Sequence, residues 1–460
     1  MATAVVLLAI AAASCGNDSG PRWSDGALLD DELGFAACGD IAMDAGGNAM
    51  AVWCRHSEDY EGSVWASRFT TSDGWSIATR IDARVGTEVL RPRVAVNGAG
   101  EAIAVWMKHD EDRGWGISAA HFDPGSGWGD AVWFEQFPYL GDPDVALNDE
   151  GHGIVVFTRW DGESNQSGIW MREIRRDDGW SVATRLDEEI FLPDSAPDPF
   201  LDGSSLPTSV SFAERPRIAV NDAGDAVVVW SWSNWTSSSL WASRYVRGSG
   251  WTAQTRLDEP ALSFMPTHLA IDEAGRAIAV SRGGAASLYT PTDGWSLTAL
   301  SDAGFGARTP NVAMAPNGQA LVVWREEREG VGVDLLASRF TPETGWTPPE
   351  LIGEADDDGN SYGDSTGSDL AITERGEALV LWHRERGEYS EALYQPRFSI
   401  WANRFEPGKG WESAIPLSTY DLGHAVEPQL AMDEQGRAIA TWQQVDVETE
   451  RRSTWWSRFE

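Results

Sequence analysis

The sequence predicts an all-β fold, a single eight-bladed β-propeller of four-stranded antiparallel blades. Three observations carry this expectation: a glycine-centred hairpin recurs eight times, a Gly-Trp strand follows in seven of those copies, and an N-terminal segment reads like the fourth strand missing from the eighth.

The hairpin unit reads, in its second copy, Val94-Ala95-Val96-Asn97-Gly98-Ala99-Gly100-Glu101-Ala102-Ile103-Ala104-Val105-Trp106. Gly47, Gly100, Gly151, Gly224, Gly275, Gly318, Gly376 and Gly436 each follow an apolar residue by six positions. Six residues further on stand Trp53, Trp106, Phe157, Trp230, Ser281, Trp324, Trp382 and Trp442, so only the fifth copy departs from an aromatic. Two β-branched runs around an Asn/Asp/Gly turn make a hairpin, with glycine supplying the positive φ that other residues resist. A third strand follows at Trp65 to Phe69, echoed at Trp241 to Tyr245, Leu336 to Phe340 and Trp401 to Phe405. The fourth strand opens with Gly-Trp at Trp75, Trp128, Trp180, Trp251, Trp295, Trp346 and Trp411.

The eighth copy reaches only Phe459-Glu460, while Arg22 to Asp30 resembles Gly74 to Asp82. A terminal strand that completes the last blade closes a propeller and protects its edges, whereas a linear solenoid would show caps. Nineteen of the 25 tryptophans fall in repeat slots. Each buried one removes roughly 150–250 Å² from water, about 4–6 kcal/mol gross, so these are expected to pack between blades.

Seventy-one acidic against 35 basic residues give a net charge of -36, which repels nucleic acid and anionic membranes. Nearly all basic residues are arginine, with Lys108 and Lys409 the only lysines. Residues 1–14 read as a signal peptide, residues 15–21 as a lipidated Cys15 with a short linker, and residues 22–460 as the propeller. The expected product is an exported bacterial outer-membrane lipoprotein, periplasmic or on the cell surface, touching membrane only through its anchor. A monomer is expected. Continuing the first hairpin's register sets Cys38 opposite Cys54, so the pair is a candidate disulfide, with two buried thiols as the alternative.

In four-stranded blades the connections from strand two to three and from one blade to the next share a face, and here they vary most. Trp115, Trp160, Trp232 and Trp235 fall beside these connections in copies two to four, near Asp161. They are candidate glycan-stacking residues, or they pack over neighbouring loops. Asp356, Asp358, Asn360 and Asp364 offer closely spaced oxygens to a calcium ion, or form a solvated acidic loop. No other cofactor is implied, and the seven scattered histidines lack metal-ligand spacing.

The turns Thr71-Ser72-Asp73-Gly74-Trp75 and Pro291-Thr292-Asp293-Gly294-Trp295 resemble a shortened Asp-box of sialidase-like propellers. That box reads Ser-x-Asp-x-Gly-x-x-Trp, a spacing the contiguous Ser72-Asp73-Gly74-Trp75 does not keep, and the family has six blades and an arginine cluster not placed here. The whole chain is similar to repeat lipoproteins of Gram-negative bacteria carrying Gly-x-Ala-x-Ala-Val-Trp and Trp-Ala-Ser-Arg-Phe units, a resemblance that brings no activity. The leading expectation is a non-catalytic envelope module that binds glycan or protein. A sialidase-like glycoside hydrolase and a structural scaffold are the alternatives, and fold does not decide among them.

Overall fold

The computed structural model describes residues 21–30, 35–57, 61–82, 88–137, 141–161, 166–175, 179–187, 212–234, 237–257, 268–281, 283–301, 307–328, 332–355, 367–385, 398–418, 424–445 and 451–460. Among them every regular element is a β-strand. The strands form successive antiparallel meanders in a propeller-like arrangement.

Unit one consists of Phe35–Met43, Ala49–His56, Gly62–Thr70 and Gly74–Trp75, hydrogen-bonded in that order. The same order recurs from Val89, Asp144, Phe212, His268, Ala307 and Ser368 onward, and units three and four touch through a single parallel bridge between Ser167 and Phe212. The eighth unit comprises His424–Met432, Ala438–Val445 and Arg452–Phe459. Its outer partner is Ala27–Leu28, with Ala27 opposite Trp456, Leu28 opposite Trp455 and a further bridge from Trp23 to Phe459.

The hairpin glycines take the conformation their recurrence implies, with φ from 76° to 88° at all eight positions. In six units an Asn or Asp stands three residues earlier, with Ala315 and Thr373 in its place in units six and seven; in unit one Asp44 Oδ1 accepts from the N–H groups of Gly46 and Asn48, both at 2.9 Å. Asn97 and Asp433 do the same in units two and eight, as short polar side chains favour. In the seven Gly-Trp strands each tryptophan pairs with the last apolar residue of strand three, as Phe69 with Trp75 and Phe405 with Trp411.

Among the described residues the core divides into eight clusters, each shared by adjacent units. Trp106 packs on Val52 and Val64 of unit one, Trp382 on Leu321 and Val323 of unit six, and Trp53 on Ala431 and Ile439 of unit eight. The cluster between units four and five has no tryptophan in this slot, because Ser281 stands there. An alanine follows the key apolar residue of every first strand, from Ala42 to Ala431. Each first strand packs against those of its neighbours, and the eighth packs against the first.

A second belt explains the preference for arginine. Arg68, Arg244, Arg339, Arg404 and Arg458 lie over Phe122, Tyr289, Phe405, Phe459 and Phe69 of the following unit, at 5.6, 3.8, 3.9, 5.6 and 5.1 Å. The last of these joins unit eight to unit one. A planar guanidinium stacks on an aromatic face where a compact ammonium does not. Arg339→Lys is therefore expected to cost about 1 kcal/mol, read from the urea unfolding midpoint; an unchanged midpoint would show that the stacking contributes nothing.

The first hairpin differs from the expected register. Ala37 pairs with Cys54 and Gly39 with Trp53. Cys38 is thus the extra residue of a β-bulge instead of standing directly opposite Cys54. Cys54 is fully buried, whereas the side chain of Cys38, like Cys15, lies outside the described residues.

Candidate functional site at the axial ends of the first strands

The residue just before the key apolar position of each first strand is Asp40, Arg93, Asp144, Arg217, His268, Asn311, Asp369 and Gln429 in turn. Because the eight first strands pack side by side, this places polar groups of every unit at one level around the axis. Odd units supply Asp, Asp, His and Asp; even units supply Arg, Arg, Asn and Gln.

The even units also share a backbone feature. Pro143 precedes Asp144 in unit three, but among the described residues only the even units join such a proline to a left-handed residue before it; their prolines are Pro92, Pro216, Pro310 and Pro428. The residues before them, Arg91, Arg215, Thr309 and Glu427, have φ of 54°, 54°, 46° and 54°. They are the only non-glycine residues in the left-handed region among those described. Proline disfavours the helical region for the residue before it and removes a donor, and in all four units the pairing with strand two slips at this point. A left-handed residue that is not glycine stores strain, most of all a β-branched one such as Thr309. The strained residues lie towards the face where the long inter-unit connections enter.

The acids of one unit satisfy open backbone donors of the next. Val94 N donates to Asp40 Oδ2 at 2.8 Å, Ile218 N to Asp144 Oδ2 at 2.9 Å, and Leu430 N to Asp369 Oδ2 at 2.8 Å. Unit five, with His268 in place of an acid, breaks the series, and Val312 N is satisfied by Asn311 Oδ1 at 2.7 Å. Asn311 Nδ2 donates to Ser368 O at 3.1 Å, tying units six and seven.

Burial pushes the Asp40 carboxyl up to about 6, against the pull of the Arg93 guanidinium and the Val94 N–H, with Asp144 adding repulsion. Burial likewise pushes Asp369 up to about 7, opposed by the Leu430 and Leu370 N–H groups and reinforced by Asp40. Asp40 therefore interacts with acids of units three and seven, so carboxylates far apart in sequence converge on the axis. At the rim Arg91 is ion-paired with Asp142, joining units two and three.

The residues singled out from sequence fare differently. Trp115 is half-buried, its ring 5.2 Å from His109. Trp160 stacks on Phe212 of unit four at 5.5 Å and 19°. Trp232 is a correction: at 4% exposure it belongs to the core between units three and four, with Trp230, Ile169 and Ala213. It lies two residues after Trp230 on the same face of the strand, so it has no surface to offer a ligand. Trp235, the Asp161 side chain, Asp356, Asp358, Asn360 and Asp364 lie outside the described residues. Among those described, no group of three or more His, Cys, Asp or Glu residues is placed to hold a metal ion. The axial series went unnoticed in the sequence, although X-Pro dipeptides stand before five of its eight residues.

No family model matches this chain, and no curated protein matches its sequence. Among solved structures it is similar to the polysaccharide lyase Uly1, at 10% identity over 92% of this chain and 89% of that one, with a TM-score of 0.50. A protein of unknown function from Dyadobacter fermentans aligns at 9% identity over 96% and 99% of the two chains, with a TM-score of 0.45. An alpha-L-arabinanase from Penicillium chrysogenum, complexed with arabinobiose, aligns at 12% identity over 71% and 100%, with a TM-score of 0.44. At such identities the likeness is one of fold alone.

Proposed function

We propose that this chain is an exported, lipid-anchored eight-bladed propeller, closed by its N-terminal strand, that binds a glycan at the axial mouth on the face of the long connections. Supporting closure are the pairing of Ala27–Leu28 with the last strand and the core shared by units eight and one. The observation that carries the binding site is the convergence of fixed donors and acceptors from all eight units around one axis. Sugar hydroxyls need alternating donors and acceptors on a rigid frame, with aromatic faces nearby, and Trp115 and Trp160 are half-buried rings in units two and three. A calcium ion held by Asp356, Asp358, Asn360 and Asp364 and a Cys38–Cys54 disulfide belong to the same reading.

A glycoside-cleaving enzyme is the second reading, favoured by one observation. A carboxyl near neutral pKa, as at Asp369 and Asp40, is suited to donate a proton to a leaving oxygen.

A glycan panel screened against residues 21–460, with calcium and with chelator, distinguishes the two when products are analysed alongside binding. Saturable binding that weakens at least tenfold in Arg93→Ala, with the glycan intact, supports the binding module. Shortened products that disappear in Asp369→Asn support the enzyme. No binding and no products would remove both.

A further inference from the structure

The closing strand fixes where the chain enters the body. Trp23 bridges to Phe459, Phe459 stands opposite Ala438, and Ala438 stands opposite Met432, the last two flanking the tight hairpin of unit eight. At the same level Arg22 and Glu460 exchange backbone hydrogen bonds of 2.7 and 3.2 Å, and Pro21 borders a cleft with Gln435, Gly436 and Arg437 of that hairpin. From there the segment runs up the outer side of the unit. Leu29 N donates to Thr454 O at 2.9 Å, and Asp30 meets Arg55 near the end of the second strand of unit one. The chain therefore joins the propeller at the tight-hairpin end of unit eight and passes into unit one at the opposite end, where the long connections lie.

Seven residues, Cys15 to Pro21, lead to Arg22. Fully extended, they span about 20–25 Å. The second and third strands of unit eight are 8 residues each, a wall of about 26 Å before the connections beyond it are added. A tether joined at the hairpin end is thus shorter than the wall it would have to climb to set the opposite face on a bilayer.

We propose that the protein, held by its lipid, turns the tight-hairpin end towards the membrane surface and the axial mouth away from it, so that ligands reach the mouth from the aqueous side. This inference rests on the lipid-anchored reading of Cys15. The hairpin tips carry Asp149, Asp222, Glu273, Glu374 and Glu434, so anionic lipid repels this end and the tether sets how far it stands off. The same repulsion cannot turn the body over, because the tether is too short to follow.

The test places the mature acylated protein in phosphatidylcholine vesicles carrying a headgroup-linked nitroxide quencher. A fluorophore is attached through Ser72→Cys, in the exposed turn between the third and fourth strands of unit one, or through Ser57→Cys, exposed just past the second strand at the other end of that unit. The parent protein treated with the same dye is the blank. Quenching at least threefold stronger through Ser72→Cys than through Ser57→Cys is expected. Equal quenching, as for a body lying on its side, or stronger quenching through Ser57→Cys overturns the orientation. The mass of the N-terminal peptide separates premise from inference: an unacylated Cys15 removes the anchor and the proposal together, whereas an acylated Cys15 with equal quenching overturns the orientation alone.

Discussion

Replacing Asp30 by alanine is expected to destabilise the protein by about 3–5 kcal/mol. Asp30 follows the N-terminal strand of unit eight, and its side chain is 3% exposed. It accepts a two-pronged ion pair from the Arg55 guanidinium of unit one and a hydrogen bond from Trp53 Nε1 at 2.8 Å. Alanine would leave a buried guanidinium and a buried indole N–H without this acceptor, which costs far more than losing a surface ion pair. Because Asp30 follows the strand that pairs with unit eight whereas Trp53 and Arg55 belong to unit one, the loss falls on the junction between unit eight and unit one. Equilibrium urea unfolding checks it, with the exposed Asp25→Ala as control. A loss below about 1 kcal/mol, the range of exposed pairs, would mean that this contact does not hold the junction.

The second large effect is a pH dependence. The Asp369 carboxyl stands at about 7 in the folded protein against an ordinary 3.8. Between those values the folded state keeps a proton that the unfolded chain has released. The unfolded chain then binds fewer protons, so stability falls as pH rises through this window and levels off above about 7. Asparagine carries no such ionisation. Asp369→Asn should therefore become more stable relative to the parent on going from pH 4 to pH 8, by about 2–4 kcal/mol. Asp123→Asn should trend the other way. The N–H groups of Gly125 and Ser126 and the Ser126 hydroxyl hold that carboxylate below its ordinary value, so its stabilisation is present above the ordinary carboxylate range and is lost on acidification. Urea midpoints for Asp369→Asn from pH 4 to pH 8, and for Asp123→Asn from pH 6 down to pH 2, test the pair of signs, and a pH-independent difference for Asp369→Asn would contradict the burial of its charge.

The hairpin glycines were legible because a turn in the left-handed region excludes most other residues, and their φ values bear that out. The slot tryptophans were legible because no other side chain buries as much area, and Trp53, Trp106 and Trp230 are fully buried between units. Trp232 misled because it lies outside a repeat slot, although its spacing of two from Trp230 already assigned it to the same buried face. Gly39 concealed the bulge at Cys38: a glycine within a strand permits a slip that a register counted back from the turn does not foresee. The axial series was hidden by chemical variety. Asp, Arg, His, Asn and Gln share no type, and their common position acquires meaning only when the first strands lie around one axis.

Hydrogen–deuterium exchange of the protein with and without a glycan retained in the panel tests most directly whether the axial mouth is the binding site. The expected result is protection concentrated in residues 89–94, 212–218, 307–312 and 424–430, the strained first-strand segments of the even units. Protection confined to the tight hairpins around Gly47, Gly100 and Gly436, with those segments unchanged, would contradict it.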